Sequence, residues 1–194
     1  MANLFQNLQK QAFRAGITPR SKESVAWFQN KIKDMKTVNR RKLMNEDPVE
    51  LRNRQALGSM YMYFYDPKHK ETLPYYDSFP LTIIVGKAKG GFTGLNLHYL
   101  PMTLRAKFLD ELMGITNNKK YNDTTRFQAS YELLNKAARF KYFKPCFKMY
   151  LGKHVRSRFA YVPPSEWEIA TFLPTQDFQK ASARTVYAES RKMI

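Results

Sequence analysis

The spacing of apolar side chains changes along the chain, and each change predicts a different kind of element. Val25, Phe28, Ile32 and Met35 stand three or four positions apart on one stripe of an α-helix, and Trp27 widens the stripe. Ser21 lies just ahead, where a hydroxyl can accept from the first unpaired backbone N–H groups, so the pattern predicts a capped helix over residues 25–35. Gly16 and Pro19 separate it from a shorter amphipathic segment at the start of the chain. Asp47 followed by Pro48 reads as another helix start, because proline at the first helical position forfeits no hydrogen bond. Residues 1–57 are therefore expected to form a basic helical arm strung along a surface.

At Gly58 the period shortens. Met60 to Tyr65 reads Met-Tyr-Met-Tyr-Phe-Tyr, an aromatic run suited to a pleated sheet, and Asp66-Pro67 breaks it. Leu81 to Val85 is short and apolar enough to be a strand buried on both faces. A turn holding Gly86, Gly90 and Gly91 leads into a third strand, Phe92 to Tyr99, making a hairpin with Lys87 and Lys89 at its tip. Pro101 opens a helix carrying Leu104, Phe108, Leu112 and Met113, with Gly114 as its expected stop. Asp123 can cap a further helix through Phe127, Tyr131, Leu134 and Ala138. Val155 to Val162 reads as a returning strand stopped by Pro163-Pro164, and a mixed-charge terminal helix is expected from Phe178 onward. Strands joined with little helix between them predict an α+β protein: a small antiparallel SH3-like β-barrel over residues 58–162 with inserted helices, and a helical C-terminal extension over residues 163–194.

Composition supports a folded chain. With 194 residues, 43% hydrophobic and 14% aromatic side chains, it can bury roughly 70% of the surface exposed on unfolding without a disulfide or structural metal. Its one cysteine, Cys146, cannot form an internal bridge. No apolar run reaches the roughly 20 residues needed to span a bilayer, and the first residues lack the apolar stretch of a secretion signal, so no membrane partner is expected.

The net charge of +17 changes the picture most, because it is unevenly placed. Residues 1–57 carry +7 and residues 114–160 carry +9, whereas residues 58–113 carry +1 and residues 161–194 are neutral. Charge concentrated in this way on a small body repels itself unless a polyanion neutralises it. The candidate phosphate contacts are Arg40, Arg41 and Lys42 in the first block, Lys87 and Lys89 at the hairpin tip, and Lys136, Arg139, Lys141, Lys144, Lys148, Lys153, Arg156 and Arg158 in the second block. Arg52 and Arg54 extend the first block. Phe140, Tyr142, Phe143, Phe147, Tyr150 and Phe159 interleave the second block and could stack on unpaired bases, but core packing explains them more simply.

Catalytic patterns are weak by comparison. His69, His98 and His154 lie far apart with no cysteine at metal-ligand spacing, so no cofactor or metal is expected, and His98 reads as a structural imidazole. Cys146 sits among aromatics, which suits a buried thiol better than a nucleophile. Gly86 to Gly91 runs from strand to strand and lacks the strand-to-helix context of a nucleotide-binding phosphate loop. Asp66, Glu71 and Asp77, with Lys68 and Lys70 among them, would suit a metal-dependent nuclease, although turn-forming roles account for the aspartates equally well.

Several segments carry a resemblance. Tyr65-Asp66-Pro67-Lys68, Leu73-Pro74-Tyr75-Tyr76-Asp77, Phe79-Pro80-Leu81 and the run from Gly91 to Pro101 resemble small virion proteins of T-even-like tailed phages, as do Cys146 to Leu151 and Glu166 to Pro174. The Gly-Leu-Asn-Leu-His-Tyr-Leu run is the most distinctive, and the DNA end protector type is the nearest association. That resemblance implies a non-enzymatic virion protein, assembled in the host cytoplasm, that binds the phosphate backbone of the packaged genome's end without base preference and shields it at the head or neck. Other phage virion proteins would be its further partners. A structural neck or baseplate subunit that meets acidic protein surfaces is the alternative, and a nuclease the second alternative.

Overall fold

The computed structural model describes residues 4–35, 37–46, 49–116 and 143–194, together with Glu132, Leu134 and Lys136. Its centre is a six-stranded antiparallel sheet ordered β1-β7-β2-β4-β5-β6, formed by β1 (Leu51–Arg52), β2 (Met60–Met62), β4 (Leu81–Ala88), β5 (Gly91–Asn96), β6 (Phe147–Leu151) and β7 (Phe159–Val162). A second, two-stranded sheet pairs β3 (Tyr76–Asp77) with β8 (Phe178–Gln179). Around them lie α1 (Leu4–Arg14), α2 (Lys22–Ile32), α3 (Arg40–Asn45), α4 (Met102–Thr116), α5 (Trp167–Phe172) and α6 (Ala183–Lys192).

The Met-Tyr alternation beginning at Met60 separates the two faces of the sheet. Side chains alternate sides along a strand, so Met60 and Met62 join the helices in one cluster that extends from Phe5, Phe28 and Leu43 to Trp167, Ile169 and Val186. Tyr61, Tyr63 and Tyr65 face the other way, where they are buried with Ile84, Phe92, Tyr150 and Phe159. These rings meet largely edge to face, Tyr63 with Phe159 at 5.0 Å and Tyr65 with Tyr150 at 4.9 Å between centroids, the arrangement aromatic quadrupoles favour.

The α+β class stands, but the barrel does not form. No sheet closes among the described residues: β6 pairs only with β5, β1 is two residues long, and the chain returns from β6 to β7 through a tight turn at Gly152–His154 with one isolated bridge, Tyr65 to Val155. Barrel closure needs continuous pairing between the edge strands, and among the described residues β1 and β6 do not pair.

Other boundaries follow local chemistry. Ser21 caps α2 in a reciprocal pair, its Oγ accepting from the Ser24 N–H while Ser24 Oγ accepts from the Ser21 N–H. The third strand ends at Asn96, where the Asn96 side chain accepts from the His98 N–H and turns Leu97–Tyr99 into a 3₁₀ helix. Gly114 lies inside α4 and does not stop it. The returning strand begins only at Phe159, and β8 precedes the terminal helix, which Ser182 caps. Asp47 and Pro48 lie outside the described residues, and Leu51–Arg52 just beyond them is strand, not helix. The helix expected from Asp123 also lies outside them except at Glu132, Leu134 and Lys136, which are helical, with Leu134 buried.

Candidate nucleic-acid interface

Successive residues of an α-helix project about 100° apart, so the adjacent cations of α3 cannot share a face. Arg40 turns inward: its Nε donates to the Thr175 carbonyl at 2.8 Å, its Nη2 donates to the Gln176 carbonyl, and Asp177 lies 3.6 Å away. Lys42 points to solvent and lies 3.9 Å from Glu46. Arg41 enters the surface groove that also holds Phe64, whereas Lys42 lines a separate one beside Leu4 and Met35. Arg40 therefore anchors the helix that presents Arg41.

The second block supplies the rest of that groove. The Arg156 N–H donates to the Phe64 carbonyl at 2.8 Å, and Ser157 Oγ accepts from the Phe64 N–H at 2.9 Å. These bonds pin Arg156, Ser157 and Arg158 beside Phe64. One lobe, of about 470 Å³, is lined by Arg41, Phe64, Tyr65, Ser78 and Arg156. A smaller lobe, of about 200 Å³, has Arg41, Phe64, Leu51, Ser157 and Arg158 among its walls. Arg41 and Phe64 belong to both, so residues more than a hundred positions apart in the chain converge on one ring. Among the described residues Arg41 and Arg158 have no ion-pair partner, whereas Arg156 reaches Asp66 at 3.4 Å. Asp66 also pairs with Lys70 at 3.0 Å, and the two cations hold its carboxyl below the ordinary range.

A second cationic group lies at one end of the main sheet. The Gly152 N–H donates to the Gly90 carbonyl at 2.8 Å, which sets Lys153 beside the hairpin tip carrying Lys87 and Lys89, all three exposed. Glycine is required here: Gly90 adopts φ +74°, and a Cβ on Gly91 would sit 1.8 Å from the Tyr150 carbonyl oxygen.

The remaining candidates are dispersed. Lys136 and Lys144 are exposed, while Arg139 and Lys141 lie outside the described residues. Lys148 is half-buried with its ammonium 4.2 Å from the centre of the Tyr99 ring, and burial lowers its pKa. It is a packed residue, not a free surface cation. Arg52 likewise lies 3.7 Å over the Tyr161 ring and pairs with Glu50 at 2.6 Å. Of the interleaved rings, Tyr150 and Phe159 are core and Phe143 packs on Phe108 at 5.0 Å, whereas Phe147 is exposed; Phe140 and Tyr142 lie outside the described residues.

Behind the groove lies a buried polar centre that sequence reasoning found only in part. Asp77 Oδ2 accepts from the Asn96 amide at 3.0 Å and lies 2.7 Å from His98 Nδ1, and its Oδ1 accepts from the Phe79 and Asp177 N–H groups. His98 Nε2 meets Thr175 Oγ1 at 3.0 Å. Burial opposes ionisation of Asp77, but His98 and the hydrogen-bond donors outweigh it and hold the carboxyl below its usual range. Burial also depresses the His98 pKa, against the pull of Asp77 and with help from Arg105 and Arg40. Arg105, fully buried, donates to the Leu100, Thr171 and His98 carbonyls and to the Tyr187 hydroxyl. The segment Thr175–Asp177 links this centre to the groove, since it also holds Arg40 and accepts from the Ser78 N–H.

These bonds give structural roles to Asp77 and Asp66, two of the three carboxylates that suggested catalysis. Asp77 is sealed in its network and Asp66 is paired with cations, and among the described residues no three His, Cys, Asp or Glu side chains converge as metal ligands. The Cys146 thiol is buried, donates to the Phe143 carbonyl, and has its pKa pushed up to about 12. Gly86 lies within β4 and Gly91 within β5, so Lys89 and Gly90 alone join strand to strand.

The molecule is thus a basic α+β protein whose distant arginines meet at one groove, and among its described residues no helix is long and apolar enough to cross a membrane. The chain belongs to the family of the phage T4 terminal DNA protecting protein, whose family model matches residues 1–192. It is accordingly a bacteriophage protein of a DNA-protecting family, in agreement with the resemblance carried by its central motifs. No curated protein and no solved structure matches it.

Proposed function

We propose that the protein is a non-enzymatic virion component that binds DNA and shields the genome's end at the head or neck, after assembly with other virion proteins in the host cytoplasm. The convergence of Arg41, Arg156 and Arg158 on one groove carries this reading, since two of the three guanidiniums have no anionic partner among the described residues. Lys87, Lys89 and Lys153 provide a second set of phosphate contacts at the sheet end. Contacts of this kind neutralise backbone charge without reading sequence.

Two measurements test the proposal. Binding to linear duplex should weaken steeply with salt, with a slope of about 0.9 in log–log terms for each phosphate neutralised. Bound protein should also protect linear duplex from an added exonuclease. A salt-independent interaction, or undiminished digestion at saturating protein, would refute it.

One observation favours a structural role at the neck or baseplate. Phe147 and Met149, on strand β6 at the edge of the main sheet, are 40% and 52% exposed, and apolar surface at a sheet edge suits contact with another protein. Under that reading, charged substitutions at both positions would block incorporation into particles while leaving DNA binding intact.

A further inference from the structure

The groove around Phe64 is too small for a double helix and well shaped for something smaller. Its larger lobe, about 470 Å³ and open to solvent, has a volume within the roughly 300–1,000 Å³ of small-ligand sites. Its walls combine an aromatic ring, a neighbouring hydroxyl from Ser78 and two guanidiniums, Arg41 and Arg156, with Arg158 on the adjoining lobe. Backbone phosphate contacts alone would need only cations. An aromatic ring set between arginines adds a surface on which an unstacked base can lie while the arginines hold its phosphate.

The ring is held in place by one aromatic neighbour and by its own backbone bonds. Phe64 packs against Phe79 at 4.8 Å between centroids, and its backbone is fixed by Arg156 and Ser157. Tyr65 beside it is fixed too, its hydroxyl accepting from the Leu151 N–H at 3.1 Å. Asp66 bonds Arg156 from the side, orienting the guanidinium without neutralising Arg41 or Arg158. A duplex interior offers no unstacked base without a large distortion, whereas a terminus frays and releases its last nucleotide at little cost.

We propose that this groove takes the terminal nucleotide of a DNA end, its base against Phe64 and its phosphates between Arg41, Arg156 and Arg158. The proposal rests on the DNA-binding reading above and specifies how an end differs from the middle of a duplex. The protein would therefore distinguish an open end from a closed one without recognising sequence.

The test compares a blunt linear duplex with a covalently closed dumbbell of the same length, bound by the full chain and by Phe64→Leu, which keeps apolar volume but loses the ring. The intact protein should prefer the open duplex by about ten-fold or more, the value of one stacked base. Phe64→Leu should lose that preference, and its thermal midpoint checks that it folds. A 2-aminopurine at the terminal position should change emission on binding the intact protein and not Phe64→Leu, whereas an internal one should respond to neither. Equal binding of open and closed duplex by the intact protein, or a preference that survives in Phe64→Leu, would overturn the terminal-nucleotide site and leave DNA binding standing. Failure of the intact protein to bind either duplex would remove both.

Discussion

Arg105 and Arg156 carry the same guanidinium into opposite surroundings. Arg105 is fully buried, and its donors are matched by three carbonyls and one hydroxyl. The Arg156 side chain is 53% exposed and touches one carboxylate at 3.4 Å, leaving donors directed at solvent. A buried charge must be satisfied by the fold itself, while an exposed one keeps its capacity for a ligand. The contrast separates cations that build this protein from cations available to a partner. It also shows that net charge overstates the binding surface, since Arg40, Arg52, Arg105 and Lys148 are all engaged within the molecule.

Removing a buried partner should break the comparison most sharply. Asp77→Ala strands one N–H of the Asn96 amide, His98 Nδ1 and two backbone N–H groups, and should cost about 3–5 kcal/mol in denaturant unfolding. Arg105→Ala should cost a similar ~3–5 kcal/mol, by stranding buried acceptors and opening a cavity. A loss below about 1 kcal/mol for both would show that the centre is not structural.

Acid should find the same region. Asp77 is held below the ordinary carboxylate range in the fold, so its contribution is present above the unfolded value of about 3.9 and is lost as pH falls through the folded value. The depressed pKa of His98 acts in the same direction: its contribution is full above about pH 6.5 and declines below it, because the unfolded imidazole takes up a proton first. Thermal midpoints should therefore fall below about pH 6.5 through His98 and fall further below about pH 3.9 through Asp77, and His98→Asn should flatten the upper part of that decline. A midpoint that rises on acidification would contradict both directions.

The groove should behave in the opposite manner. Changing Arg41, Arg156 and Arg158 together to Ala should lower the salt slope of duplex binding by up to about three units. Stability should move by no more than about 0.5 kcal/mol, as expected for exposed side chains. A smaller effect belongs to Lys148→Ala, which should cost about 0.5–2 kcal/mol through loss of the contact with Tyr99 and leave the salt slope unchanged. If Lys148→Ala instead reduced the slope by a full unit, the division drawn here between engaged and available cations would fail at that residue.

Local features were legible where the chemistry was local. The Ser21 cap, the Met-Tyr alternation and the turn at Gly90 each declare themselves through spacing or backbone freedom, and the structure places all three as the sequence implies, although Gly86, expected in that turn, lies within β4. His98 as a structural imidazole was legible too, although its partners Asp77 and Thr175 were not. Phe64 was hidden because an aromatic in a strand-forming run reads as core. Its position in the groove depends on bonds to Arg156 and Ser157, more than ninety residues away. Arg105 carried no signal at all, since one arginine on an amphipathic helix ordinarily faces water.

The sequence by itself determined that the chain is a folded, strongly basic α+β protein with two cationic blocks, because composition and periodicity are properties of neighbouring residues. Only the tertiary structure decided which cations are available. Helical rotation sends Arg40, Arg41 and Lys42 in three directions, the missing edge-to-edge pairing leaves the sheet open, and the return of the chain past Phe64 brings Arg156 and Arg158 to Arg41. Charge is counted along the chain, but its field and its partners depend on distances across the fold.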